Sequence, residues 1–164
     1  MNILPEIVTR RSVRKFNDRD VTDEQIEALL KAAQLAPSGT NKQPWDFIVV
    51  RSQAWREKIC ALDHEQKWML TAPVFIVVVG NERYRGDGDM TRIIRDSAIA
   101  TEHILLQAEH MGLATCWTGW YDQAEMRALL GLDDHCYVAG VVVVGYADEK
   151  PAATPRREIA YKTL

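Results

Sequence analysis

The chain has 164 residues, 47% of them hydrophobic and 26% charged, with a net charge of −3. Those proportions suit one soluble domain and exclude a disordered chain, which lacks the apolar surface that offsets ordering entropy. The longest apolar run, Val74–Val79, is far shorter than the ~20 residues of a membrane-spanning helix, and the N-terminus has no apolar core of signal-peptide length; a cytoplasmic protein with no membrane partner is expected.

Thr22 and Gln25 form a capping-box pattern that opens an amphipathic helix, with Ile26, Leu29, Leu30 and Ala33 on one stripe. It must stop near Ala36, because Pro37 disfavours helical geometry in the residue before it. A polar loop, Ser38–Trp45, leads to a short strand at Phe47–Val50 and a helix at Ala54–Leu62. Val74–Val79 is continuously apolar and β-branched, the pattern of a central strand buried on both faces. After the polar turn Asn81–Asp89, a long helix is predicted from Thr91 to Met111, ended by Gly112 as a left-handed cap. Its apolar residues occupy more than one face, so it must be enclosed by its own chain or by a partner. A strand at Ala114–Thr118, a helix at Gln123–Leu130 and a strand at Val138–Val144 complete the pattern. Residues 147–164 have no strong periodicity and little core, and read as an arm that packs on something else. The prediction is a single α+β domain, residues 1–164, with a central sheet wrapped by helices.

Common catalytic signatures are missing. There is no G-x-G-x-x-G after a strand, no G-x-x-x-x-G-K-[ST] phosphate loop and no G-x-S-x-G elbow. A hydrolase built on nucleophile, base and orienter has no candidate set here. Cys60, Cys116 and Cys136 form no C-x-x-C pair and the four histidines no H-E-x-x-H, so neither a disulfide framework nor a metal is expected. Arg10, Arg11, Arg14 and Lys15 concentrate positive charge on an otherwise acidic chain, which suits a small anion and not a nucleic acid needing an extended basic track. In an extended segment Arg10, Ser12 and Arg14 point the same way and suit a phosphate. The Pro37–Trp45 loop offers Ser38, Asn41 and Gln43, neutral groups that match the edge of a heteroaromatic ring. In Trp117–Trp120, Gly119 permits close backbone approach and the indoles offer flat faces. Arg156 and Arg157 add a weaker basic pair. Phosphate, polar ring edge and aromatic face together describe flavin mononucleotide (FMN).

Four stretches in register carry a resemblance. Arg10–Phe16 followed by the capped helix and Ala36–Trp45 resembles the start of the nitroreductase family. Asp96–Ala98 through Gly112–Gly119 resembles its central helix and next strand, and Gly145-Tyr146 with Pro151 and Pro155–Arg157 its C-terminal segment. The resemblance implies a three-layer α/β/α fold with a central mixed, largely antiparallel sheet. It implies a homodimer with active sites at the interface and the 147–164 arm packed on the partner subunit. Arg10 and Ser12 would bind the FMN phosphate and Arg14 the N1/O2 side of the flavin, with Arg11 matched but less defined in role. Pro37, Ser38 and Asn41 would come from the other subunit and line the flavin ring, and Gln43 of the same loop is a further cofactor-binding candidate. Trp117, Thr118 and Gly119 would line the flavin's other side, and Arg156 or Arg157 would close on the phosphate. The implied activity is ping-pong transfer of hydride from NADH or NADPH through the flavin to a nitroaromatic, quinone or similar small acceptor. The same resemblance leaves open a dehalogenase or flavin-cleaving reaction, or a flavin-binding or storage protein with little turnover. Larger members carry an insertion where this chain has only the 81–90 turn, so the roof of the substrate pocket is undefined; Trp120 or Tyr121 is expected to serve there.

Overall fold

The computed structural model describes residues 2–164. Its elements, in chain order, are α1 (Pro5–Thr9), α2 (Asp23–Gln34), β1 (Trp45–Val50), α3 (Gln53–Leu62), β2 (Val74–Asn81), α4 (Met90–His110), β3 (Ala114–Thr118), α5 (Gln123–Leu130) and β4 (Cys136–Gly145). The predicted capping box forms in full at α2: Thr22 Oγ1 accepts the Gln25 N–H at 3.2 Å, and Gln25 Oε1 accepts the Thr22 N–H at 3.0 Å. The helix ends at Gln34, short of Pro37. At the end of α4, Gly112 adopts φ 70° and the Leu113 N–H reaches back to the Ala108 carbonyl at 2.8 Å, the left-handed closure that only glycine enters freely.

The sheet has the order β1-β2-β4-β3, and each neighbouring pair is antiparallel. The parallel contact is an isolated bridge between Ser12 and Thr115, which lays the basic N-terminal segment beside β3. Because side chains alternate across a strand, the unbroken apolar runs of β2 and β4 supply two cores at once. Phe75, Val77, Val79, Val141 and Val143 face Ile59 of α3 and Met126 of α5. Val74, Ile76, Val78, Val142 and Val144 face Leu29 of α2 and Ala100 and Ile104 of α4. Each such side chain contributes about 1.5–3 kcal/mol when fully buried, and helices on both faces give the three layers. Gly80 lets α4 approach closely, since a Cβ there would lie 2.5 Å from Ile93 Cγ2.

One feature differs from the sequence expectation. The short α1 was not predicted; Ile7 and Val8 on it, with Leu4 before it, are exposed. The arm has no regular structure after Gly145, and its base is fastened to its own chain. Phe16 bridges Ala147, Asp148 donates its N–H to the Lys15 carbonyl at 2.9 Å, and Lys15 Nζ lies 2.6 Å from Asp148 Oδ2. From Ala152 onward the arm is exposed. Among the described residues no helix is long and apolar enough to cross a membrane, and no group of three or more His, Cys, Asp or Glu could hold a metal ion.

Candidate functional site

The segment after α1 is held extended along β3 by the Ser12–Thr115 bridge and by the Val13 N–H, which donates to the Thr115 carbonyl at 3.0 Å. Val13 is buried, so its neighbours turn outward. Arg10, Arg11, Ser12 and Arg14 thereby line one cavity of about 770 Å³, closed on its far side by Pro151–Thr154 and Arg156 of the arm. Arg157 is exposed and does not line it. Arg11 also caps the end of α1, its Nη1 donating to the carbonyls of Val8, Thr9 and Arg10 at 2.8, 3.0 and 2.8 Å. Arg10 Nε lies 3.9 Å from Glu102, and the Arg14 guanidinium stands 5.8 Å from the Trp68 ring centre. Behind the cluster, burial pushes the Cys116 thiol above its ordinary value against the opposing pull of Arg14, Ser12 and Arg10. Cys116 is therefore an apolar packing group and not a nucleophile.

Outside the cavity, residues 63–68, a segment that no sequence motif marks, run from the end of β3 to Arg14. Asp63 is fully buried; its carboxylate accepts from the Thr118 hydroxyl at 2.7 Å and from Gln66 Nε2 at 2.8 Å. Gln66 Nε2 also reaches Thr118 Oγ1 at 3.1 Å, while Gln66 Oε1 accepts from Trp68 Nε1 at 3.1 Å. The chain of contacts Thr118–Asp63–Gln66–Trp68–Arg14 thus ties two separately predicted clusters into one wall. The Thr118 side chain points into this network. The Trp117 indole lies across Gly140, where a Cβ would sit 1.8 Å from its Nε1, and that Nε1 donates to the Ala139 carbonyl at 3.3 Å. Trp120 is 68% exposed and packs against His64, ring centres 4.4 Å apart and planes tilted by 40°. His64 and Glu65 hold the left-handed φ values 52° and 51°, uncommon for such residues. Tyr121 turns inward: its ring packs on the core, its hydroxyl donates to the Val138 carbonyl at 3.1 Å, and burial pushes it well above the ordinary tyrosine range.

The Pro37–Gln43 loop lies apart from that wall. Ser38 Oγ accepts the Gln43 N–H at 2.9 Å, and Gln43 Nε2 donates to the Asn41 carbonyl at 3.1 Å. Thr40, Asn41 and Gln43 all have positive φ, at 53°, 55° and 48°. Pro37 and Asn41 are exposed, and Gln43 with Lys42 borders a different open cleft of about 730 Å³ beside Trp45 and Tyr84. Within one chain, then, the structure brings Arg10, Arg11, Ser12, Arg14 and Arg156 together, links Thr118 to them, and leaves Ser38, Asn41 and Gln43 outside.

The sequence model of the nitroreductase family matches residues 7–66 and 60–146. A protein of Archaeoglobus fulgidus whose name pairs NADH dehydrogenase with NAD(P)H nitroreductase is 40% identical over 153 residues, spanning 90% of this chain and 87% of its own. Among solved structures, an FMN-dependent nitroreductase of Clostridium difficile superposes with a TM-score of 0.82 at 28% identity, covering 93% of this chain and 92% of its own. The NADPH:FMN oxidoreductase of Vibrio harveyi, solved in complex with NAD+, gives a TM-score of 0.86 at 26% identity, covering 97% of this chain and 77% of its own. Matched by the family's sequence model over residues 7–66 and 60–146 and 40% identical to a relative across 90% of its length, the chain belongs to the nitroreductase family.

Proposed function

We propose that the chain is an FMN-dependent oxidoreductase that uses NADH or NADPH to reduce a small acceptor such as a nitroaromatic or a quinone, by a ping-pong sequence. The observation that carries the reading is the 770 Å³ cavity in which arginines and a serine hydroxyl converge. The donor set fits the cofactor: guanidinium forks and a hydroxyl suit a phosphate dianion, and the Trp68 indole and Gln66 amide next to Arg14 suit a planar heteroaromatic ring. Arg10, Ser12 and Arg156 would hold the phosphate. The Glu149 carboxylate accepts the Arg14 backbone N–H, and the Arg14 guanidinium, lining the cavity, would stabilise negative charge on the pyrimidine side of the ring. When bound, FMN accepts hydride from the nicotinamide and delivers it to the second substrate. The chain's own part is to bind, orient and exclude water, with the exposed Trp120 offering a flat face to a planar substrate.

The same reading makes the functional unit a homodimer. Ser38, Asn41 and Gln43 do not line the arginine cavity of their own chain, as is expected of residues serving a partner's site. Leu4, Ile7 and Val8 around α1 and Ile159, Tyr161 and Leu164 of the arm expose apolar surface that a second chain would cover.

Anaerobic reduction tests the proposal. The purified protein should carry or take up FMN, turn yellow, bleach on addition of NADH or NADPH, and recover its colour when a nitroaromatic or quinone is added. A protein that takes up no FMN overturns the reading. One that binds FMN but does not bleach is a flavin-binding protein and not this enzyme.

A further inference from the structure

The turn between β2 and α4, residues 82–89, is short. It folds inward. Glu82 Oε1 accepts the Gly88 N–H at 2.8 Å, and Asp89 caps α4 through the Arg92 N–H. Arg85, in the middle of the turn, buries its side chain to 7% exposure beside Asp96 of α4, which is 4% exposed. Arg85 Nε lies 2.9 Å from Asp87 Oδ2, in an ion pair whose N–H is not aimed at the oxygen. Its Nη1 is 3.5 Å from Asp96 Oδ2 and 3.5 Å from the Gly39 carbonyl oxygen, while Asp96 Oδ2 accepts the Gly39 N–H at 3.2 Å. Gly39 is thus gripped at both its polar backbone groups by groups of the complementary charge. A Cβ at this position would sit 2.9 Å from Arg85 Nη1, so a larger residue here would require the guanidinium to shift.

The backbone just beyond Gly39 explains why a grip is needed. Thr40 and Asn41 enter the left-handed region in succession, and Gln43 does so again, a shape that non-glycine residues hold only when surrounding structure imposes it. The bonds from Gln43 to Ser38 and Asn41 close the loop on itself but do not fix it to the body of the protein. The contacts to Asp96 and Arg85 do, and both come from residues outside every predicted site segment.

We propose that Arg85 and Asp96 are a positioning pair that clamps the Ser38–Gln43 loop in the shape it presents to the flavin of the partner's site. The inference rests on the flavin reading for its purpose but on the loop geometry for its existence. The short turn is then a buttress under the site and not a roof over it. Arg85 and Asp96 touch neither cofactor nor substrate; they act through Gly39.

The test compares the full chain with Arg85→Lys and with the double variant Arg85→Met/Asp96→Leu. The double variant removes both charges together, because removing one alone would strand the other in a buried setting and endanger folding. Amide hydrogen exchange at Gly39, Thr40 and Asn41 is read beside exchange in β2 and α4, and FMN affinity is measured on the same samples. The expected result is exchange about tenfold faster in the loop alone, and FMN binding about tenfold weaker, in the double variant, with Arg85→Lys close to wild type in both. Unchanged loop exchange in a folded double variant overturns the clamp. So does acceleration spread evenly over β2, α4 and the loop, which would make the pair a general stabiliser. Faster loop exchange with undiminished FMN affinity overturns the positioning role. A wild-type chain that takes up no FMN overturns the flavin reading, while the exchange comparison still decides whether the clamp exists.

Discussion

Thr118 illustrates how much a single side chain contributes through its partners. Its hydroxyl donates to the buried Asp63 and accepts from Gln66, so its place beside the proposed flavin is fixed from behind. Replacing it with valine leaves Asp63 Oδ2 without its 2.7 Å donor at a fully buried position. A buried acceptor that loses its partner costs roughly 1–3 kcal/mol, so Thr118→Val should lower the urea midpoint accordingly, with Thr118→Ser close to wild type; equal stability of all three would show that the network adds nothing to the fold. Arg10, Ser12 and Arg14 were legible in the sequence because alternate residues of an extended segment share a face. Asp63, Gln66 and Trp68 were not. They carry no motif, and they reach Thr118 and Arg14 across more than fifty residues of chain.

At the scale of elements, periodicity and caps located α2, α3, α4 and α5 and all four strands, with boundaries shifted by a few residues at most. The exception, α1, has one turn and a half of helix and no stripe long enough to show a period. Its position depends on tertiary contacts, among them His110 Nδ1 at 2.7 Å from Glu6 Oε1, which ties α1 to the end of α4. That hydrogen bond holds the Glu6 carboxyl below its ordinary value of 4.5. A carboxyl lowered in the folded state adds stability that is present above its unfolded value and lost as the pH falls through its folded value. Thermal melts should therefore place wild type above Glu6→Gln near neutral pH, with the gap closing well below 4.5; a gap independent of pH would separate the effect from the carboxylate. The Pro37–Gln43 loop was legible as polar and exposed, but not in shape, because nothing in Thr40, Asn41 or Gln43 announces a left-handed backbone.

At the scale of the molecule, the two-sided core was written in the unbroken runs of β2 and β4, which require helices on both faces. The arm could be read as coreless, yet its anchorage at Phe16 and Lys15 depends on the fold. Its Pro151–Arg156 stretch then completes the arginine cavity of its own chain, while its apolar end is left exposed. The groups proposed to hold the phosphate and the Ser38–Gln43 loop lie apart within one chain, which is why the proposed flavin site is built from two. The direct measurement is an equilibrium titration with FMN, followed by flavin fluorescence, at protein concentrations spanning dissociation of the dimer. One FMN per chain is expected in the dimer, with an affinity that falls as the dimer dissociates. A monomer that binds FMN as tightly as the dimer, or a dimer that binds none, would contradict a site built from two chains.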